Sequence, residues 1–171
     1  METTRNQLTQ SQLEFFHSLR LYINQPIYFY GSIQRSDYFP GQSDIDIDIF
    51  TNNEESTKYA LCNFLKLNKH AFRRSAYKNT EPGGKIIYGY KTKYEDPAKD
   101  IRIEISLYNE NVKEFIMKDN LKKTDVPLHV SAGLVIIKFL YYKLGWISDT
   151  TFRRSKGFLL NDSNENYILL P

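Results

Sequence analysis

The spacing of apolar residues predicts that helices and strands alternate along the first two thirds of the chain. Phe15, Leu19 and Tyr22 recur at helical intervals after a capping box formed by Thr9 and Gln12. The run "PIYFYG" has the pattern of a short buried strand, and "SDIDIDIF" that of a second strand. A further helix is predicted in "NNEESTKYALCNFLKLN", which begins with asparagine caps and an acidic first turn.

Three more strands are predicted before the chain becomes helical. "HAFRRSAYK" and "KIIYGYKTKY" are predicted as two strands joined by a loop that contains "TEPGG", and "DIRIEISLY" as a third. Helices are predicted at about 110–119, 128–144 and 149–159, and Gly145 is a suitable stop for the second of them. The pattern predicts an α+β fold, in which a mixed β-sheet of four to five strands is flanked by helices and the C-terminal third is helical.

Length and composition fit one domain with a sizeable core. The chain has 171 residues, of which 41% are hydrophobic and 25% charged, and these are ordinary values for a globular protein. We therefore expect one domain over residues 1–160, whose helical part begins near residue 110, and a loosely docked tail over residues 161–171. The net charge of +3 is too small to indicate nucleic-acid binding by itself.

The cysteine content and the most apolar segments of the sequence indicate the cellular setting that we expect for the protein. A single cysteine, Cys62, excludes an internal disulfide and a cysteine-based zinc cluster, so we expect a reducing, cytoplasmic setting. The first twelve residues lack the apolar core of a signal peptide. Lys138 and Lys143 interrupt the most apolar window, "VSAGLVIIKFLYYKLGWI", so we expect a buried helix there and no membrane partner.

Three aspartates alternate with isoleucines on the second predicted strand. Asp44, Asp46 and Asp48 share one face, because successive side chains of a strand point to opposite faces. A half-buried strand with its apolar side inward gives the same pattern. The preceding turn favours a functional explanation, since Gly31 permits close backbone approach, Ser32 supplies a hydroxyl, and amides at such a turn can bind phosphate. A phosphate site beside clustered carboxylates is typical of a divalent metal site.

This combination resembles the DNA polymerase β-like nucleotidyltransferase superfamily in its minimal, single-domain form. The motif of that family is an apolar residue, a Gly-Ser pair, a spacer, and then Asp-apolar-Asp-apolar on the next strand. Here the apolar residue is Tyr30, the spacer covers residues 33–43, and Asp44 begins the acidic part. Arg35 matches a basic position of the small members, whereas Ser36 stands where a glycine often follows.

The resemblance implies transfer of a nucleoside monophosphate from a nucleoside triphosphate (NTP) to an acceptor hydroxyl, with pyrophosphate as the leaving group. It implies that Gly31 and Ser32 bind the β- and γ-phosphates of an NTP such as ATP, and that Arg35 also binds the nucleotide. Two Mg²⁺ ions, with Mn²⁺ as an alternative, would be held by Asp44 and Asp46.

Strand geometry limits which aspartates can act together. Residues i and i+2 of a strand lie about 6.5–7 Å apart and residues i and i+4 about 13 Å apart, so Asp44 and Asp48 cannot both be central ligands. Asp46 belongs to either remaining pair. The family motif places its first acid just after the loop, which favours Asp44 with Asp46 as the catalytic and metal-binding pair. We expect Asp48 to form an ion pair or to support the other two.

The resemblance requires a third carboxylate on a later strand. "DIRIEISLY" places Glu104 among alternating apolar residues, so Glu104 is predicted as the third metal ligand and catalytic residue, which also orients or deprotonates the acceptor hydroxyl. The structural alternative is an exposed Glu104 beside Arg102. Members of the family more often have Asp at this position. Asp96 and Asp100 are weaker candidates.

Two groups of basic residues have open interpretations. In the C-terminal helices, Lys138, Arg153 or Lys156 could approach the triphosphate, as in minimal members of the family. Tyr141, Tyr142 and Phe152 are expected to be core residues rather than a surface on which a base stacks. The group around the third strand is either a solvated face or a rim that binds phosphate or RNA. It comprises Lys66, Lys69, His70, Arg73, Arg74 and Lys78.

Three functions are compatible with the sequence. The first is a Mg²⁺-dependent nucleotidyltransferase whose acceptor is a small molecule, a protein side chain or an RNA. The second is a non-catalytic module that binds a nucleotide or a partner and has kept the fold, and the third is a small RNA-binding protein. The intact Gly-Ser pair and the first two aspartates favour the enzyme, and the chain is too short for the added domains of template-dependent polymerases.

Overall fold

A mixed six-stranded sheet forms the centre of the structure, a computed structural model that describes residues 2–78, 86–160 and 167–170. The strands are β1 (Ile27–Tyr30), β2 (Ile45–Thr51), β3 (Arg73–Lys78), β4 (Ile86–Asp96), β5 (Ile101–Asn109) and β6 (Tyr167–Leu169). Their order across the sheet is β1-β2-β5-β4-β3-β6, in which β2 and β5 are parallel and every other pair is antiparallel. The predicted "TEPGG" loop lies outside the described residues.

Five α-helices in the described part of the chain accompany the sheet. They are α1 (Gln10–Ile23), α2 (Glu54–Leu65), α3 (Lys113–Thr124), α4 (Leu128–Tyr142) and α5 (Asp149–Leu159).

 Helices α3, α4 and α5 follow β5 and make up the helical C-terminal part. The predicted capping box is present at the start of α1, where Thr9 accepts a hydrogen bond from the Gln12 amide and the Gln12 side chain accepts one from the Thr9 amide. The predicted α+β class with a helical C-terminal third is confirmed.

The two faces of β2 have different surroundings. Ile45, Ile47 and Ile49 are almost completely buried in the main core, which they share with apolar side chains of α1 and α2. The opposite face carries the aspartates and ends at Phe50, which belongs to a second cluster that includes Ile116 of α3. The alternation in the sequence therefore separates a fully apolar face from a polar one.

Strand β6 differs from the prediction, which places its residues in the tail. It pairs antiparallel with β3, so that Ile168 lies opposite Ala76, and the Leu170 amide donates a hydrogen bond to the Arg74 carbonyl at 2.8 Å. A run of three residues is too short to show an alternating pattern, and its pairing depends on a distant strand. The sheet therefore has six strands, one more than the largest number that the sequence predicts, and β6 lies at its edge.

Helix α4 is only partly buried, although the sequence predicts a buried helix. Leu134 and Lys138 are buried, whereas Ile136 and Phe139 are exposed. In the described residues, no single helix is long and apolar enough to cross a membrane. Residues 110–124 and 128–142 pass such a test only as a pair, and this pair is bent by 81°.

The close contact between β4 and β5 at Gly89 yields a prediction about stability. A Cβ atom at Gly89 would lie 2.5 Å from Cδ1 of Tyr108 and 2.7 Å from the Leu107 carbonyl oxygen. Tyr108 is fully buried and the carbonyl belongs to the backbone, so neither can move away easily. We expect Gly89→Ala to lower the free energy of unfolding by about 1–3 kcal/mol, measured by urea denaturation.

Gly133→Ala in α4 is the matched control for this substitution. The three atoms nearest to its Cβ atom would all belong to the flexible side chain of Leu159, the first at 3.1 Å, and alanine favours a helix over glycine by about 1 kcal/mol. We expect Gly133→Ala to lower the free energy of unfolding clearly less than Gly89→Ala does. Equal losses in the two variants would contradict the steric explanation.

Candidate active site

A cleft of about 630 Å³ separates the acidic face of the sheet from helices α4 and α5. Charged side chains line both walls, and aromatic side chains of the helices lie between them. The sheet side contributes Asp44, Asp46, Lys93, Arg102 and Glu104, together with Ser32 from the turn after β1. The helical side contributes Lys138, Tyr141, Tyr142, Asp149, Phe152, Arg153 and Lys156.

The pairing of β2 with β5 brings the predicted acids to one place. Asp46 and Glu104 are directly opposite each other in the parallel pair, and neighbouring strands lie about 4.8 Å apart. Asp44 stands immediately before β2, on the same face as Asp46. The structure therefore brings Asp44, Asp46 and Glu104 to the same cleft.

The third acid has two basic neighbours that the sequence analysis missed. The Glu104 carboxylate lies 2.6 Å from the Lys91 ammonium and 3.5 Å from that of Lys93, and Lys93 is also 3.2 Å from the Asp44 carboxylate. Burial alone would raise the pKa of Glu104, but the two ammonium groups bring it below its ordinary value. In the part of the chain that the structure describes, no three His, Cys, Asp or Glu side chains form a group that could hold a metal ion.

Compared with Glu104, Asp46 and Asp48 have much less compensation for their negative charge. Burial, followed by repulsion from Glu104, raises the pKa of Asp46 to about 6. Asp48 is almost completely buried behind the cleft, where the Asn120 amide donates a hydrogen bond to it at 2.6 Å. Burial raises the pKa of Asp48 to about 7 despite that hydrogen bond. Asp48 does not line the cleft, which agrees with a supporting position.

The turn after β1 places its glycine against the acidic face. Gly31 has a φ of +72°, in the left-handed region that favours glycine, and begins a short 3₁₀ turn that ends at Gln34. A Cβ atom at Gly31 would overlap the Oδ2 atom of Asp46. The neighbouring Ser32 lines the cleft. The glycine therefore allows the turn and the Asp46 carboxylate to lie in contact.

Arg35, predicted to bind the nucleotide, does not line the cleft. Its guanidinium is buried and bonded to both carboxylate oxygens of Asp37, at 2.7 and 3.1 Å, and to the Lys123 carbonyl at 3.2 Å. Lys138 of α4 approaches the same carboxylate to 2.8 Å and also donates to the Ser43 hydroxyl. The Arg35 side chain holds the loop before Asp44 through a buried ion-pair network, and its role in binding the nucleotide stays a prediction.

All three C-terminal cations predicted to approach the triphosphate line the cleft, but they differ in burial and in their ion-pair partners. Lys138 is tied to Asp37, and burial lowers its pKa to about 8. Arg153 is paired with Asp149 at 2.7 Å on the surface of α5. Lys156 is half-buried in the cleft wall and contributes a positive charge that opposes the rise in the pKa of Asp46.

Aromatic side chains of α4 and α5, which the sequence favours as core residues over a base-stacking surface, form part of the cleft wall. The rings of Tyr141 and Phe152 are stacked, with centroids 4.3 Å apart and planes at 3°. Tyr142 packs against Phe152 and against Phe39 of the loop before β2. Phe152 is buried, as predicted, yet all three helical rings border the cleft.

The basic group around β3 lies at a different pocket. Lys69, His70, Arg73 and Arg74 line a depression beside β6, and none of them lines the acidic cleft. Arg73 is the Cα partner of Lys91, so the two side chains leave the same face of the sheet. The side chain of Lys78 lies outside the described residues.

The comparisons with known proteins agree with this geometry. A sequence model of the family described as "Nucleotidyltransferase domain" matches residues 10–162, which is most of the chain. No individually curated protein matches. The match covers the glycine-serine turn, the acidic strand, β5 and the helical wall of the cleft. The chain therefore belongs to the nucleotidyltransferase domain family of the polymerase β-like superfamily.

Proposed function

We propose that the protein transfers a nucleoside monophosphate from an NTP to an acceptor hydroxyl in a Mg²⁺-dependent reaction at this cleft. Membership of the family supports nucleotidyl transfer in general. The observation that carries the finer proposal is the convergence of Ser32, Asp44 and Asp46 on one cleft whose opposite wall carries cations. The acceptor would be a small molecule, a protein side chain or an RNA presented to the open side of the cleft.

The chemistry of the donor set fits a divalent metal ion at Asp44 and Asp46. Carboxylate oxygens are the ligands that Mg²⁺ prefers, and Mn²⁺ accepts the same donors. The raised pKa of Asp46 supports this assignment, because it reflects a negative charge that a bound cation would stabilise. Such an ion would neutralise phosphate charge and polarise the phosphorus–oxygen bonds.

The residues around the carboxylates would bind and orient the triphosphate. The Ser32 hydroxyl and the backbone amides of the turn that begins at Gly31 can donate hydrogen bonds to phosphate oxygens. Arg102 and Lys156, which both line the cleft, would neutralise further negative charge. The stacked Tyr141 and Phe152 offer an apolar surface at the edge of the cleft against which a nucleobase could pack.

In the proposed reaction the acceptor hydroxyl oxygen forms a bond to the α-phosphorus. The bond between that phosphorus and the oxygen that bridges to the β-phosphate breaks, and pyrophosphate leaves with the electron pair. Glu104 is ionised and lies opposite Asp46, so it can accept a hydrogen bond from the hydroxyl and orient it. The hydroxyl proton is finally released to water.

One observation favours the alternative of a non-catalytic module. The Glu104 carboxylate is occupied by Lys91 and Lys93, so the predicted third ligand is not free. Mg²⁺-dependent consumption of a labelled NTP, with release of pyrophosphate, separates the two functions. NTP binding without turnover in the presence of a broad set of acceptors would favour the module.

Asp46→Asn should abolish Mg²⁺-dependent transfer without disrupting the fold. The substitution is nearly isosteric and removes the carboxylate that lies at the centre of the site. Asp48→Asn is the matched control, because Asp48 is equally part of β2 but lies behind the cleft, where its amide could still accept the Asn120 hydrogen bond. We expect turnover to fall at least about 100-fold in the first variant and less than about fivefold in the second. Wild-type turnover in Asp46→Asn would contradict the assignment.

The same substitution should change the pH dependence of stability. The pKa of Asp46 in the folded protein, about 6, exceeds the value of about 3.9 expected in an unfolded chain. The folded state therefore holds the proton more tightly, and the free energy of unfolding attributable to this group falls as the pH rises from about 4 to about 6. We expect Asp46→Asn to be as stable as the wild type at pH 4 and more stable at pH 7.5, by about 1–3 kcal/mol in urea denaturation. A less stable variant at pH 7.5 would contradict this.

Gly31→Ala should impair transfer through the Asp46 carboxylate. The added methyl group would overlap Oδ2 of Asp46, and the φ of +72° is unfavourable for alanine. Ser32→Ala is the comparison, since it removes one hydrogen bond to a charged group at a cost of roughly 1–2 kcal/mol in NTP use. We expect the loss of kcat/KM to be larger in Gly31→Ala. The reverse order would contradict the close packing of the turn on Asp46.

A further inference from the structure

The acidic face of the sheet contains cations of its own, supplied by the neighbouring strand. Lys91 and Lys93 alternate on β4 with the buried Thr92, so both side chains leave the face that carries Glu104. Lys93 is the Cα partner of Glu104, and Lys91 is the Cα partner of the buried Ser106. The Lys93 ammonium group therefore reaches Glu104 from the position directly opposite on β4, and the Lys91 ammonium group reaches it from the next position on the same face.

The contacts of these lysines differ among the three acids of the cleft, because Glu104 has two ammonium neighbours and Asp44 has one. Lys91 holds one Glu104 oxygen at 2.6 Å, and its side chain is only 15% exposed. Lys93 lies between the other Glu104 oxygen, at 3.5 Å, and Asp44, at 3.2 Å. Both oxygens of Glu104 thus have an ammonium neighbour. Asp46, by contrast, has no hydrogen bond or ion pair among the contacts found for the described residues.

We propose that Lys91 and Lys93 act as resident cations at Glu104, so that the site binds one divalent ion, through Asp44 and Asp46, where three free acids would hold two. The inference rests on the proposed function and refines it, because the family resemblance implies two ions. Two fixed positive charges beside Glu104 repel a metal ion from this carboxylate and already supply its charge compensation. Lys91 and Lys93 are accordingly positioning residues, which hold Glu104 as a ligand for the acceptor hydroxyl.

Mn²⁺ alone, added to the full chain without nucleotide, tests the proposal. The free ion is measured by electron paramagnetic resonance, which gives the number of bound ions and their Kd independently of activity. We expect one bound Mn²⁺ in the wild type, and a loss of at least tenfold in affinity in Asp46→Asn. The double variant Lys91→Met and Lys93→Met should bind a second Mn²⁺ with a Kd within tenfold of the first.

Two control variants separate charge from other effects. The double variant Lys91→Arg and Lys93→Arg keeps both charges and should bind one ion. Lys69→Met removes one positive charge from an exposed position outside the cleft and should also bind one ion. If the double methionine variant does not fold, as judged by thermal melting, Lys93→Met alone decides, because Lys93 is 61% exposed and contacts both acids. It should tighten Mn²⁺ binding at least fivefold.

Specific outcomes overturn the proposal. Two tightly bound Mn²⁺ ions in the wild type, or unchanged affinity and stoichiometry in the methionine variants, would show that the lysines do not replace an ion. Those results would leave the proposed transferase intact. Absence of Mn²⁺ binding in the wild type and in every variant would instead overturn the metal assignment at Asp44 and Asp46, and with it the proposed function.

Discussion

The site depends on the register of the parallel pair formed by β2 and β5. Ile47 lies opposite Ile105 in the apolar core, and this pairing places Asp46 opposite Glu104 on the other face. A slip of one residue would turn every side chain of one strand to the opposite face and bury carboxylates in the core. The hydrophobic effect that fixes the isoleucines therefore also fixes the acids, and the precision of the polar face is a consequence of packing on the apolar face.

Placing the acids side by side causes repulsion between their negative charges, and neighbouring groups of the fold compensate this charge more fully at some acids than at others. The ammonium groups of Lys91 and Lys93 keep Glu104 ionised, whereas Asp46 and Asp48 have raised pKa values because burial and like charges outweigh their compensation. A fold selected for stability alone would replace such residues with neutral ones. At Asp46 the uncompensated charge lies where we propose that a cation binds, as is common when a site lowers stability in favour of function.

The sequence predicts what is periodic and local, and it misses what depends on distant pairing. Alternation identified the acidic strand and the strand of Glu104, and the capping box identified the start of α1. The run "GYKTKY" likewise places Lys91 and Lys93 on one face, but only the sheet order shows that this face adjoins Glu104. Arg35 illustrates a different limit, since a motif position predicts a nucleotide ligand but does not show that the side chain forms a buried ion pair with Asp37. Strand β6 was too short for any periodic signal.

The C-terminal helices are a structural part of the acidic site, because one buried charge network joins them to it. Lys138 of α4 is 2% exposed and holds the carboxylate and carbonyl of Asp37 as well as the Ser43 hydroxyl, immediately before Asp44. Removing one partner from such a network leaves a buried charge without compensation, which is strongly unfavourable. The buried network therefore couples the position of the loop to the docking of α4. Since α5 packs on α4 and carries Lys156 into the cleft, the same contact also sets the distance between the acidic wall and the basic one.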